Sequence, residues 1–255
     1  MIKVLMSGCN GKMGQVITRL ATDKNDIKIV AGFDMRDNIQ NTYPVFTQLD
    51  ACNIDVDVII DFSNPAALDN LLSFAVSKKI PLVMATTGLS QQQVKQLHET
   101  SALIPIFFSA NMSLGVNLLI NLVKQAAKVL EGNFDIEVIE KHHNQKIDAP
   151  SGTALAIADA INEELINKAE YVYDRHSKRK KRTNQEIGIH AVRGGTIVGD
   201  HSVLFAGNDE IIEVNHIAMS KEIFGVGALK AAKYLYNKKP GIYNMGQLIA
   251  SDIEK

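Results

Sequence analysis

The sequence predicts an α/β fold, a doubly wound parallel sheet followed by a second α+β domain built on a mixed or antiparallel sheet. Three observations predict it. Short apolar runs alternate with helix-period segments through the first third of the chain. A turn with glycines three apart, Gly8-Cys9-Asn10-Gly11-Lys12-Met13-Gly14, joins the first apolar run to the first helical segment. After about Ser113 the rhythm changes to a long helix and then to strand-like alternation punctuated by glycine. Alternating strands and helices imply a parallel sheet covered on both faces, with right-handed crossovers.

The elements follow in order. Ile2 to Met6 is an apolar run of strand length. Lys12 to Thr22 is a helix because Met13, Val16, Ile17 and Leu20 fall on one face. Ile27 to Phe33 is a second strand. Val56 to Phe62 is a third, apolar except for Asp57 and Asp61. Pro65 to Lys78 is a helix with its proline in the first turn, where a missing N–H costs nothing. Pro81 to Ala85 and Pro105 to Phe108 are further strands, separated by a helix around Ser90 to Ser101. Leu114 to Leu130 is a long helix, and Phe134 to Lys141 alternates like a strand. Ser151 to Lys168 is helical. Asp174 to Asn184 is strongly basic, without interleaved aromatics, and reads as a solvated, mobile loop. Gly188 to Ile217 alternates again, with turn glycines. Lys221 to Tyr236 is an amphipathic helix expected to pack back on the first domain.

Bulk composition narrows the function. The 255 residues are 46% hydrophobic and 22% charged, with a formal net charge of -1. That balance suits a soluble globular protein and provides no basic field for nucleic acid or anionic membrane. The two cysteines, Cys9 and Cys52, do not form a Cys-x-x-Cys pair. A disulfide framework and a thiolate metal site are both disfavoured, and no metal is expected. The first apolar run is too short for a signal peptide, and no stretch reaches spanning length, so the expected location is the cytoplasm.

The glycine loop has a physical purpose. Glycines allow a tight turn and close backbone approach to a phosphate, and the following helix offers N–H groups and positive dipole charge. Asp34 ends the second strand about 20 residues later, where an acid reaches ribose hydroxyls. Asp34 favours NAD; Arg36 leaves NADP open. The plain alternative is a glycine turn beside a solvated acid, but strand, loop, helix and acid together favour a Rossmann-type dinucleotide site. The turns Thr86-Thr87-Gly88 and Ser109-Ala110-Asn111 end later strands, where ligands of such sheets bind, although ordinary polar turns would look the same.

The densest chemistry lies in Glu140-Lys141-His142-His143-Asn144-Gln145-Lys146-Ile147-Asp148-Ala149-Pro150-Ser151-Gly152-Thr153. Imidazoles and a lysine can hold carboxylates and carry protons. Ser151 can cap a helix whose first residues, Gly152 and Thr153, offer a second anion site. Adjacent histidines on a strand project in different directions, which argues against metal. Ser151 lacks the glycine-flanked elbow of a serine nucleophile. His190, His201 and His216 are candidates by residue type only.

The stretch from Glu140 to Ala154 resembles the signature of the 4-hydroxy-tetrahydrodipicolinate reductase family. The resemblance continues through the glycine loop, Asp61-Phe62-Ser63, Thr86-Thr87-Gly88, Asn111 to Asn117, Arg193-Gly194-Gly195-Thr196-Ile197-Val198-Gly199-Asp200-His201 and the Phe224 to Leu235 helix. It implies that His142 gives or accepts a proton and that Lys146 is the proton donor. It implies substrate contacts at His143, Gly152 and Thr153. It implies contacts to NADH or NADPH at Gly8, Cys9, Asn10, Gly11, Lys12, Met13, Asp34, Ala85, Thr86, Thr87, Ser109, Ala110, Asn111 and Met112. Arg36 joins that set as the residue that could face a 2′-phosphate. Residues 1–112 with 221–255 would form the dinucleotide-binding domain. Residues 113–220 would form the substrate-binding and oligomerisation domain of a homotetramer. Lys12, Ala85 and Met112 stand where the family commonly has arginine, glycine and phenylalanine.

The implied substrate is a small cyclic dicarboxylate with a conjugated imine. Hydride would reach the ring from the nicotinamide, and Lys146 would protonate the adjacent carbon. The alternatives are a dinucleotide-binding sensor without catalysis and a two-domain dehydrogenase for another small carboxylate. A sensor needs no Lys146, and the Lys146-to-Thr153 signature suits a dicarboxylate.

Overall fold

The computed structural model describes residues 1–36 and 39–253; positions 254–255, the end of the expected first domain, and positions 37–38 lie outside the described residues. In chain order the elements are β1 (Ile2–Ser7), α1 (Lys12–Thr22), β2 (Ile27–Phe33), β3 (Val45–Phe46), β4 (Val58–Asp61), α2 (Leu68–Lys78), β5 (Leu82–Met84), α3 (Gln91–Thr100), β6 (Pro105–Phe108), α4 (Leu114–Leu130), β7 (Asp135–His142), α5 (Gly152–Glu164), β8 (Glu170–Val172), β9 (Glu186–Arg193), β10 (Gly199–Ala206), β11 (Ile211–Ala218), α6 (Glu222–Leu235), β12 (Gly241–Tyr243) and α7 (Met245–Ile253). They divide into two compact units, Met1–Leu114 with Glu222–Lys255, and Gly115–Lys221.

The first unit is a doubly wound sheet in the order β12-β6-β5-β4-β1-β2-β3, parallel throughout. The inner strands β4, β5 and β6 are buried on both faces, as such sheets require. Val4 and Met6 of β1 enter one core with Ile17 of α1, Leu229 and Leu235 of α6 and Leu248 of α7. Leu5, between them, enters the opposite core with Leu71 and Phe74 of α2 and Leu97 of α3. The strand order reverses between β1 and β4, where Ser7 pairs with Asp61. A crevice at the carboxyl ends of the strands is expected at that reversal.

The second unit carries a five-stranded mixed sheet, β11-β10-β7-β9-β8. β10 runs antiparallel to β7 and β11, whereas β9 is parallel to β7 and β8. One sheet face packs Ile136, Val138, Ile187, Ile189, Val203 and Phe205 against Leu119 and Val123 of α4 and Ile157 and Ile161 of α5.

Three local differences from the sequence reading have physical causes. The helix expected from Ser151 to Lys168 ends at Glu164, because Lys168 Nζ turns back and donates to the carbonyls of Asn162, Glu163 and Leu165. Those carbonyls have no intrahelical partner at a helix end. Pro65–Ala67 is a separate 3₁₀ turn, capped by the Asn64 side chain, ahead of α2. The basic run is not simply solvated. Arg182 pairs with Asp135 and Glu137, Arg175 with Glu137 and Glu186, and Lys180 with Glu186. These pairs hold Glu186 down to about 2, chiefly through Arg175 and Lys180, and strap the segment to β7 and β9.

Candidate active site

In the first unit the site is made of space. Gly8 sits at φ 77, and a Cβ there would fall 2.4 Å from the carbonyl oxygen of Phe62. A Cβ on Gly14 would fall 2.2 Å from the carbonyl oxygen of Gly8. Neither distance is tolerable, so glycine is obligatory at both points. Gly11 caps α1 and has no side chain to occupy the first turn. The result is an exposed backbone rim on a cleft of about 780 Å³ lined by Gly8, Asn10, Gly11, Asp34, Arg36 and Ser63 among others. The Asp34 carboxylate accepts the Asn10 amide N–H at 2.9 Å, which ties the end of β2 to the loop. A glycine cradle at a helix N-terminus with an acid across it fits a dinucleotide.

Beneath this rim lies Asp61, 1% exposed. Thr86 Oγ1 donates to it at 2.5 Å and Ser63 Oγ at 2.6 Å, while the Ser63 amide donates to Thr86 Oγ1 at 2.8 Å. Burial pushes the Asp61 carboxyl up from its ordinary value, against the opposing hydrogen bonds. Asp61 thereby couples the ends of β4 and β5.

The other expected cofactor positions are distributed unevenly. Thr87 and Ala110 are exposed, whereas Ala85 and Thr86 are buried. The turn after β6 is closed internally, with Ser109 Oγ donating to the Asn111 carbonyl and the Ser113 amide donating to Asn111 Oδ1. The Cys9 and Met112 side chains lie in the core, so a ligand could reach those residues only through backbone. Lys12 is exposed and Met13 half-buried in the first turn of α1.

In the second unit the site is made of charge. β7 buries alternate residues, and continuing the face of Ile136 and Val138 by two residues at a time gives Glu140 and His142. Cross-strand register sets His201 beside Glu140, His216 beside His201, and Arg193 beside His142. Glu140 is 0% exposed. Its carboxylate accepts His142 Nδ1 at 2.6 Å, the two arms of Arg193 at 2.7 and 2.8 Å, and the Ser151 amide at 2.9 Å. Burial pushes the Glu140 carboxyl up, but the bonds from Arg193, His142 and Ser151 outweigh it and hold the group below the usual range.

His201 packs edge-on to His142 with ring centroids 5.2 Å apart, and its Nε2 lies 3.1 Å from Ser151 Oγ. Burial, reinforced by His142, pushes His201 down to about 4, so it is neutral at neutral pH. The same Ser151 Oγ accepts the Ala154 amide and caps α5. Gly152 and Thr153 open that helix, and a Cβ on Gly152 would meet nothing within 4 Å. Lys146 Nζ lies 2.8 Å from Asp148 Oδ1, and its amide closes a turn to the His143 carbonyl. Residues His142, His143, Lys146, Gly152 and Thr153 therefore belong to one strand end, one turn and one helix start.

Sequence reasoning assigned no role to Glu140, Arg193 or Asp61. The signal for Glu140 is its two-residue spacing from His142 on an alternating strand; Arg193 has no local signal, because only register brings it to β7.

A doubly wound sheet with a glycine-built cleft at its reversal point, joined to a second unit bearing clustered imidazole, ammonium and helix N-terminus, defines a two-unit dinucleotide-type oxidoreductase. Residues 2–112 match the family model for dihydrodipicolinate reductase, N-terminus, and residues 115–249 match that for dihydrodipicolinate reductase, C-terminus. The chain is 56% identical over 249 residues to a 4-hydroxy-tetrahydrodipicolinate reductase of Caldanaerobacter subterraneus, covering 98% of both chains. It is 50% identical to one from Clostridium tetani, again over 98% of both. Among solved structures it is similar to a dipicolinate-bound dihydrodipicolinate reductase from Paenisporosarcina sp. TG-14, with TM-score 0.82, 25% identity, and 96% and 97% of the two chains covered. A Corynebacterium glutamicum diaminopimelate dehydrogenase, at 12% identity and TM-score 0.56, shares the fold alone. The chain belongs to the dihydrodipicolinate reductase family.

Proposed function

We propose that this protein reduces 4-hydroxy-tetrahydrodipicolinate to tetrahydrodipicolinate with NADH or NADPH, a step of diaminopimelate and lysine biosynthesis. The observation that carries the reading is that a chain matching both halves of the reductase family keeps the whole His142-His143-Lys146 and Ser151-Gly152-Thr153 set at one end of one sheet. A sensor would have no use for that set.

The bound dinucleotide supplies a hydride to the substrate ring. The chain's own residues do the rest. The backbone of Gly8 to Met13 and the start of α1 hold the pyrophosphate, Asp34 takes the ribose hydroxyls and Arg36 takes a 2′-phosphate when one is present. The turns at Ala85-Thr86-Thr87 and Ser109 to Met112 border the nicotinamide end. In the second unit the substrate is a dianion, and the donors are suited to it. Gly152 and Thr153 receive one carboxylate at the helix start, where backbone N–H groups and the helix dipole favour negative charge. His143 takes part in the same recognition. His142 supports the electron density that builds as the ring is reduced. Lys146 leaves Asp148 and delivers the proton to the adjacent carbon.

The homotetramer and the cytoplasm are part of this proposal. Helices α4 and α5 cover one face of the mixed sheet; on the other, Ile211 and Ile217 of β11 are 65% and 56% exposed, which supports assembly through that face. Among the described residues no helix is long and apolar enough to cross a membrane, and both cysteines are buried and outside any disulfide, which suits a reducing compartment.

The test is oxidation of NADH and of NADPH in the presence of the heterocycle formed from pyruvate and aspartate semialdehyde. Substrate-dependent oxidation of either is expected. A folded protein that binds dinucleotide and oxidises neither would overturn the reading.

A further inference from the structure

We propose that Glu140 is the positioning residue of this site, holding His142 in one tautomer and, through Arg193 and the Ser151 amide, fixing the far end of the segment that carries His143 and Lys146. The inference rests on the reductase reading for its kinetic consequences, though not for its structural ones.

The argument is geometric. Among the side chains at this end of the sheet, Glu140 is the one with no exposure, and it can persist there only because its acceptor sites are filled. An ionised carboxylate accepts and cannot donate, so the proton between it and His142 sits on His142 Nδ1. Nε2 is then the ring atom left for chemistry. It lies beside Gly199, where a Cβ would fall 3.2 Å away, so glycine leaves Nε2 its room. Glu140 Oε1 also accepts the Ser151 amide, one residue before the helix start proposed to receive a carboxylate. Arg193 bridges from Glu140 to the carbonyl of Asp148 at 2.6 Å, next but one to Lys146. One carboxylate and one guanidinium thus set His142, Ser151 and Asp148 in mutual register. A lysine at 193 could not span these acceptors with a planar fork.

The experiment uses the full-length protein, with the His142 imidazole nitrogens read by ¹⁵N NMR and kinetics measured in parallel. Wild type is expected to show His142 protonated at Nδ1. Glu140→Gln should lose that single tautomer and lower kcat by on the order of tenfold or more, with dinucleotide affinity unchanged. Arg193→Lys should keep the Nδ1 tautomer and raise KM for the heterocycle several-fold, because the segment is loosened while His142 stays bonded. An unchanged His142 spectrum in Glu140→Gln would overturn the proposal, as would an unchanged KM in Arg193→Lys. If Glu140→Gln does not fold, wild-type His142 protonated at Nε2 overturns it alone. The expected tautomers in a wild-type protein that turns over no substrate would instead uphold the positioning role and reject the reductase reading.

Discussion

The cleft of the first unit and the polar cluster of the second accomplish recognition by opposite means. At Gly8, Gly11 and Gly14 the sequence removes side chains so that backbone can approach a ligand. At Glu140, His142, Arg193, His201 and Ser151 it fills the space with side chains bonded to one another. The difference shows in their buried acids. Asp61 is held by neutral hydroxyls and its carboxyl is pushed up by burial. Glu140 is as buried but faces a guanidinium, and its carboxyl stays low. A cradle for a cofactor phosphate needs shape and fixed backbone dipoles; a site that moves a proton needs groups of defined charge.

The sharpest test of this division is Lys146→Ala. It should lower kcat by on the order of 100-fold or more while leaving NADH affinity, measured by fluorescence titration, unchanged. An equal loss in both would break the division of labour. Next in size is Gly8→Ala, which combines a left-handed φ with a backbone clash at 2.4 Å. It should cost about 1–3 kcal/mol in urea unfolding and weaken NADH binding by roughly tenfold. Wild-type affinity in that variant would mean the loop is not the cradle.

Cofactor choice should move within the first unit alone. Arg36→Ala should reduce the NADPH to NADH ratio of kcat/KM by roughly tenfold, the loss of about one charge-assisted bond, and Asp34→Ala should raise it. Parallel steady-state assays with both cofactors decide this, and a ratio indifferent to both residues would place selection elsewhere.

The smallest effect is the response to acid, and its sign differs between the units. Glu186 and Glu140 are depressed, so their contributions are present above the ordinary glutamate value of 4.5 and are lost as pH falls, for Glu186 through about 2. Asp61 is raised above its ordinary 3.8, so its contribution is fully present below that value and is lost as pH rises through its higher folded pKa. Below pH about 4.5, hydrogen exchange corrected for intrinsic rate should therefore show β7 and β9 losing protection before β4 and β5. Simultaneous loss would remove these acids as the cause.

Much of the fold is legible because it is local. The bounds of α1, β2, β6 and α4 follow from apolar periodicity and from punctuation by glycine and proline. Two-residue β3 is too short to have a period, and the true end of α5 depends on Lys168 folding back on it. The basic run reads as solvated because the partners of Arg182, Asp135 and Glu137, lie 47 and 45 residues back along the chain on β7, and nothing local marks Glu186 as the partner of Arg175 and Lys180.

The sequence by itself determined the alternation of strands and helices, the glycine turn before α1, and the presence of two imidazoles, a lysine and a serine-capped helix within one short segment. These depend on neighbours a few residues apart. Only the tertiary structure decided that Arg193 would clamp Glu140, that His201 would meet Ser151, and that Thr86 would reach Asp61. Each of those contacts is set by strand register, which arises when buried faces pack together and polar groups taken from water must find partners wherever the sheet has placed them.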